Sequence, residues 1–202
     1  IGKDNFRKNL FDGKASIHLF GGSFAFGEGL NDNQTLAYYL WDRYKLKTKN
    51  FGVHGYGLHQ ALFLIEELNK SSINGINLIL TGSFHLRRSA CKVSYSNGTP
   101  YYENSNGYAI LNGICNLKDS FVVKVLNKSN LSKLYYKIFT RYGKNNDEDI
   151  LRYFSILRTI KKYSKLNNST LIIAYIATDE SNFKNTSYTN EKFYLELSKI
   201  PD

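Results

Sequence analysis

The sequence predicts an α/β domain built on a doubly wound parallel sheet, and three features predict it. Short apolar runs typical of buried strands recur at 16–20, 76–82 and 170–178, and a further strand is expected at 47–51. Stretches with helical spacing of apolar residues stand between them. The 202 residues suffice for one domain that buries about 70% of its unfolded surface. Strands that alternate with helices indicate parallel strands joined by helical crossovers.

The first strand, 16–20, is stopped by two glycines. A helix is expected over 33–44 with Asp32 as its N-cap, because apolar residues follow at helical spacing. The clearest amphipathic helix is 58–69, and the strand at 76–82 is apolar enough to be buried on both faces.

Between residues 84 and 119 the periodicity breaks down, and this segment is expected to cover one face of the domain. It contains turn signals at Asn97-Gly98 and Asn106-Gly107. A short strand within an inserted hairpin is expected at 120–126. Two helices are expected at 129–141 and 147–166, and a short final helix at 190–198.

The composition argues against several classes of partner. The formal net charge is +10, but the lysines are scattered among asparagines and serines, so no nucleic-acid partner is expected. No apolar run approaches the 18 residues or so that a membrane span needs. Cys91 and Cys115 could pair, whereas the absence of CxxC spacing argues against a metal site. The chain starts at Ile1 and contains no methionine, which suggests a processed or excised piece.

A glycine-rich loop, GGSFAFGEGLNDNQT at 21–35, follows the first strand, where parallel sheets carry their functional residues. A phosphate-binding loop would need lysine after Gly27, and Glu28 stands there instead. The dinucleotide pattern GxGxxG lacks its third glycine. The nucleophile elbow GxSxG fails because Ala25 follows where glycine is required. No nucleotide cofactor is therefore expected.

The run FGGSFAFGEGLNDNQTLAYYL resembles the first conserved block of the SGNH, or GDSL-like, hydrolases. NFGVHGYGLHQ at 50–60 is similar to their second block, and LILTGSFHLRRS at 78–89 matches the third more loosely. The three blocks span 15–89 in the family's order. The resemblance implies a single domain over 1–202 with a flavodoxin-like, three-layer α/β/α sandwich. It also implies cofactor-free chemistry on esters, thioesters or glycan acyl groups.

Carried over by position, the resemblance implies that Ser23 is the nucleophile and that the Ser23 and Gly55 amides are oxyanion donors. The family's third donor, an Asn side chain, falls near Ser83 or Phe84; Ser83 or His85 could replace it. Arg87 and Arg88 follow the third strand, where they either hold an anionic or carbohydrate substrate or are simply solvated.

The general base is the main departure from the family. Relatives supply it from an Asp-x-x-His block near the C-terminus, and this chain has no histidine after His85. The chain is expected to stop before that block, and true loss of catalysis is the alternative. His18 is expected in the core, and His54 and His59 flank Gly55. If the chain holds its own base, His85 is the candidate, because it follows the third strand.

Two functions therefore remain open. One is a serine esterase or O-acyltransferase acting on a small-molecule or bacterial glycan acyl ester. The other is a non-catalytic module that binds a glycan or a protein through the same cleft. The sequence leaves both the bacterial cytoplasm and the cell envelope open as compartments.

Overall fold

The structure, a computed structural model, describes residues 6–7, 11, 13–69, 75–116, 145–177 and 180–200. Its strands are β1 (Ile17–Gly21), β2 (Thr48–Asn50), β3 (Ile76–Gly82), β4 (Pro100–Ser105), β5 (Tyr108–Ile114) and β6 (Thr170–Ile176). Its helices are α1 (Ser23–Phe26), α2 (Leu36–Tyr44), α3 (Leu58–Asn69), α4 (His85–Ser89), α5 (Asp147–Leu166) and α6 (Asn190–Ser198). Three short 3₁₀ turns cover Asp32–Gln34, Ser94–Ser96 and Glu180–Phe183.

The central sheet has four strands in the order β2-β1-β3-β6, and every pair in it is parallel. Gly21 pairs with Leu80, and Gly82 pairs with Ile176. The chain segments that follow β1, β2 and β3 therefore emerge at the same edge of the sheet, which places the glycine-rich loop beside the other two conserved blocks.

Helices cover both faces of this sheet. The larger core lies between the sheet and helices α3 and α5, and it buries Phe20, Ile79, Leu62 and Tyr153. A smaller core on the other face joins Leu19 to α1 and α2 through their alanines. This arrangement confirms the predicted three-layer α/β class with a doubly wound parallel sheet. The prediction that β3 is buried on both faces was too strong, because its side chains on the smaller-core face are only half-buried.

Helix α2 begins later than predicted, and its N-cap is Thr35 rather than Asp32. The Thr35 hydroxyl accepts a hydrogen bond from the Tyr38 amide at 3.2 Å. Asp32 instead opens a 3₁₀ turn whose N-cap is Asn31. Both residue types cap helices, so the choice between them was decided by the turn that precedes α2.

A hairpin that the sequence pattern did not predict follows the third block. Strands β4 and β5 form an antiparallel pair within the segment that was expected to be irregular. Asn106 and Gly107 have φ values of +50° and +85°, as a tight two-residue hairpin turn requires. The pair packs on α5, where the Ala109 amide donates to the Thr159 hydroxyl at 2.8 Å. The strand expected at 120–126 and the helix expected at 129–141 lie outside the described residues.

A disulfide joins Cys91, which follows α4, to Cys115, which follows β5. The bond closes a chain segment of 24 residues in sequence separation. A loop of this length is worth about 3 kcal/mol in the chain-entropy description of disulfide stabilisation. It fixes the hairpin sheet against the segment that carries the third sequence block.

Candidate active site

Ser23 is the first residue of α1 and lies at the carboxyl end of β1, as predicted. Its side chain is half-buried, and no side chain among the described residues hydrogen-bonds its hydroxyl. Helix α1 is a single turn that ends at Gly27 in the left-handed conformation. The serine is therefore presented on a short, tightly turned segment at the functional edge of the sheet.

The loop after β2 is fastened directly to the Ser23 segment. The Val53 amide donates to the Gly21 carbonyl at 3.2 Å. The buried Asn50 amide group donates to the Ala25 carbonyl at 2.8 Å, and its oxygen accepts from the Gly52 amide at 2.8 Å. One side chain of the second sequence block thus ties the two loops together.

Gly52 allows this close approach because it has no side chain. A Cβ atom at Gly52 would lie 2.4 Å from the Phe26 nitrogen and 2.7 Å from the Ala25 carbonyl carbon. Real Cβ atoms do not approach backbone so closely, so any side chain at this position would push the two loops apart.

Gly55 lies in the same loop with a φ of +78°, which glycine adopts without strain. Neither its amide nor the Ser23 amide donates to a hydrogen-bond acceptor among the described residues. Further along, the Gln60 side chain accepts from the Gly57 amide at 2.9 Å and so fixes the end of the loop. The two amides that the resemblance names as oxyanion donors are therefore both uncommitted.

His85 is fully buried under this edge of the sheet. Its Nδ1 lies 2.9 Å from the Thr81 hydroxyl, which lies 2.9 Å from the Tyr153 hydroxyl. The ring, the Thr81 hydroxyl and the Tyr153 phenol therefore form one buried hydrogen-bonded chain. Burial, followed by the positive charge of Arg88, holds the pKa of His85 well below its usual range.

His85 contacts the Ser23 segment from below and does not open into the cleft. A Cβ atom at Gly22 would lie 3.2 Å from its Nε2 and 2.9 Å from the Tyr56 carbonyl oxygen. Nε2 lies near that carbonyl without a hydrogen bond of normal geometry. The same crowding leaves no room for a side chain at position 22.

Arg88 holds the loop that carries Gly55. Its Nη1 donates to the Tyr56 carbonyl at 2.9 Å, and its Nε donates to the Tyr95 hydroxyl at 3.2 Å. The guanidinium carbon lies 5.3 Å from the centre of the Phe84 ring, within cation–π range. Arg87, its neighbour in α4, is half-buried. The guanidinium group of Arg88 is thus engaged by the protein itself.

Exposed aromatic rings border the serine. Phe24 is 60% exposed, and its ring centre lies 5.5 Å from that of Phe84. Tyr95 is 55% exposed, and its ring lies 3.3 Å from the position of a Cβ at Gly55. These rings form an apolar border suited to an acyl chain or to the face of a sugar.

Ser83 is placed differently from Ser23 and Gly55. Its side chain is fully buried, and it interacts with the Tyr175 phenol of β6, the strand on the far side of β3 from β1. Burial raises the pKa of Tyr175, and the contact with Ser83 lowers it again in part. The structure therefore gathers Ser23, Gly55 and Arg88 at one place, whereas Ser83 faces the neighbouring strand.

The other histidines differ in their surroundings. His18 lies in β1, and burial with the nearby Lys49 charge lowers its pKa to about 4. His59 is buried with Nε2 3.0 Å from the Thr99 hydroxyl, and burial lowers its pKa to about 3. His54 is 73% exposed, and its Nδ1 lies 2.6 Å from the Glu28 carboxylate.

The pair of His54 and Glu28 was missed from the sequence, where Glu28 served only as an argument against phosphate binding. It links the loop after β2 to the end of the Ser23 segment, since the Glu28 amide donates to the Ser23 carbonyl at 3.0 Å. With Nδ1 bound to the carboxylate, Nε2 is the ring nitrogen left to accept a proton.

The described part of the chain contains no group of three or more His, Cys, Asp or Glu side chains placed to bind a metal ion. None of its helices combines the length and apolar character that crossing a bilayer requires.

Comparison with known proteins adds little to this description. No family model matches the chain, and no curated protein matches it. Among solved structures, the chain is similar to a crystal structure of AlinE4, described as an SGNH-hydrolase family esterase, with a TM-score of 0.26 and 19% identity. The match covers 34% of this chain and 41% of the esterase. A likeness this partial carries no argument about activity.

Proposed function

We propose that this domain is an SGNH-type serine esterase or O-acyltransferase whose nucleophile is Ser23. The observation that carries the proposal is the convergence of the three sequence blocks at the carboxyl edge of the sheet. There Ser23 follows β1, and the loop with Gly55 is bonded to the same segment. The small-molecule or glycan acyl ester is the substrate that the resemblance implies.

In this mechanism the Ser23 oxygen attacks the acyl carbonyl and forms a tetrahedral intermediate. The uncommitted amides of Ser23 and Gly55 would bind its negative oxygen. One such donor is typically worth about 3–4 kcal/mol of transition-state stabilisation. The alkoxide of the substrate leaves with a proton, and water or an acceptor hydroxyl then takes the acyl group from Ser23. The exposed rings of Phe24 and Tyr95 would contact the acyl or sugar part of the substrate.

The attacking hydroxyl also needs a proton acceptor. The resemblance assigns this role to the histidine of an Asp-x-x-His block. Within the described residues, the alternative candidate is His54, whose partner Glu28 is joined to the Ser23 segment through its backbone amide. His85 is fully buried and its Nδ1 is engaged by the Thr81 hydroxyl, so we assign it a supporting role beneath the Ser23 segment.

A non-catalytic module that binds a glycan or protein through the same cleft is the second candidate. The observation that favours it is the Ser23 hydroxyl, which no described side chain hydrogen-bonds. Such a module would keep the aromatic border and lose activity.

Acetyl-ester hydrolysis by the full-length gene product decides between the two. We expect Ser23→Ala to lower kcat/KM by about 10³-fold or more, because nothing else replaces the nucleophile. His54→Gln is the matched variant at the same edge, and the proposal that the base is the Asp-x-x-His histidine implied by the resemblance predicts that it stays within about threefold of wild type. A loss of about 100-fold in His54→Gln would make His54 the base. No measurable hydrolysis by the wild-type protein would support the binding module instead.

A further inference from the structure

A second pocket lies at the edge of the sheet opposite Ser23. Helix α5 ends at Leu166 and β6 starts at Thr170, so the last turns of α5 lie beside the amino ends of the strands. We propose that this pocket binds an acidic saccharide, through contacts that are independent of the Ser23 chemistry.

The pocket is formed by three separate parts of the chain. It has a volume of about 630 Å³ and lies between the hairpin, α5 and the end of α6. Its cationic side chains are Arg158, Lys161, Lys162, Lys165 and Lys199. The first four follow the i, i+3, i+4, i+7 spacing, so they lie on one face of α5. A volume in this range is typical of small-ligand sites.

The charges of the pocket are strongly unbalanced. Glu196 is the one carboxylate in its lining, and it is bound by Lys199 at 2.7 Å. The pKa of Glu196 is lowered first by this hydrogen bond and then by the charges of Lys199 and Arg158. The lining contains no second carboxylate to balance the other cations of α5, which are Lys161, Lys162 and Lys165. A bound anion would relieve the repulsion among them.

The negative end of the α5 dipole also favours cations near the last turn, and it accounts for part of this charge. Lys199 is the C-cap residue of α6, so a second helix end supplies the cation on the opposite wall. Neither helix end accounts for Tyr108 of β5, which lines the same cavity. The convergence of three elements on one cavity indicates a ligand site rather than a helix end alone.

Tyr108 indicates which anion fits. Its ring is 49% exposed and lines the cavity, and the Lys162 ammonium lies 5.8 Å from its centre. A pyranose ring stacks its C–H face on such an aromatic ring, while its carboxylate or sulfate groups bind lysine and arginine. Inorganic anions would use only the cations, and nucleic-acid bases would need a series of stacking rings along a groove.

Titration calorimetry with galacturonate tetrasaccharide, at about 50 and 150 mM salt, tests the site in the full-length gene product. We expect saturable binding that weakens with salt, and no binding of a neutral glucose tetrasaccharide. Lys161→Gln/Lys165→Gln should weaken it about tenfold. Lys14→Gln/Lys184→Gln removes the same charge at exposed positions away from the cavity and should change the affinity less than about twofold.

Tyr108→Ala should weaken the tetrasaccharide about fivefold but leave inorganic phosphate binding unchanged, which separates the sugar contact from charge alone. The proposal is overturned if galacturonate does not bind, if both double variants lose affinity equally, or if a tetrathymidylate probe binds more tightly than galacturonate. None of these outcomes depends on activity at Ser23.

Discussion

Replacing Gly52 by alanine is expected to destabilise the domain by about 3 kcal/mol and to abolish esterase activity. The added methyl group would lie 2.4 Å from the Phe26 nitrogen, and it can be accommodated only if the loop after β2 moves away from α1. That movement would break the contacts through Asn50 and would separate the Gly55 amide from Ser23.

Gly113→Ala is the matched control. A Cβ atom added at Gly113 would have no other atom within 4 Å, and Gly113 has a φ of +86°. Its left-handed backbone should cost about 1–2 kcal/mol and leave kcat/KM unchanged. Urea unfolding and ester hydrolysis on both variants measure the difference. A Gly52→Ala protein with wild-type stability and activity would show that the two loops are not held together at this glycine.

Mild acid is expected to destabilise the fold strongly between pH 7.5 and 5.5. The pKa values of His18 and His59 are lowered to about 4 and about 3, and that of His85 is also lowered, mainly because all three rings are buried. At pH values below about 6.5, the ordinary histidine pKa, these three histidines therefore bind protons in the unfolded chain but not in the folded chain. Stability is fully present above about pH 6.5 and is lost as the pH falls toward the folded-state values.

Each buried ring should contribute about 1.4 kcal/mol over the whole of this window, so the free energy of unfolding should fall by about 4 kcal/mol between pH 7.5 and pH 5.5. Urea unfolding at pH 7.5, 6.5 and 5.5 measures the slope. His18→Gln removes one of the three rings and should reduce the slope by about one third. A free energy of unfolding that does not change over this range would contradict the assignment of neutral, buried histidines.

The sheet could be predicted from the sequence because β1, β3 and β6 are short apolar runs, and β1 and β3 end at glycine. The hairpin of β4 and β5 could not be predicted in the same way. Most side chains of β5 are exposed, so apolar and polar residues do not alternate along it. The Asn106-Gly107 turn was visible in the sequence, but the strands on either side carried no matching pattern.

The placement of Ser23 and Gly55 could be predicted because each belongs to a local motif. The supports of the site could not, since they join distant parts of the chain. Thr81 and Tyr153 are 72 residues apart, and Arg88 reaches the Tyr56 carbonyl across 32 residues. Such contacts depend on how helices and loops pack, which spacing along the sequence does not encode.

The most direct test of the proposed function is to label the full-length gene product with a fluorophosphonate probe and map the adduct by mass spectrometry. The proposal predicts a single adduct on the Ser23 oxygen, lost in Ser23→Ala and retained in Ser16→Ala. An adduct on another serine, or no adduct while an authentic serine esterase labels under the same conditions, would contradict it.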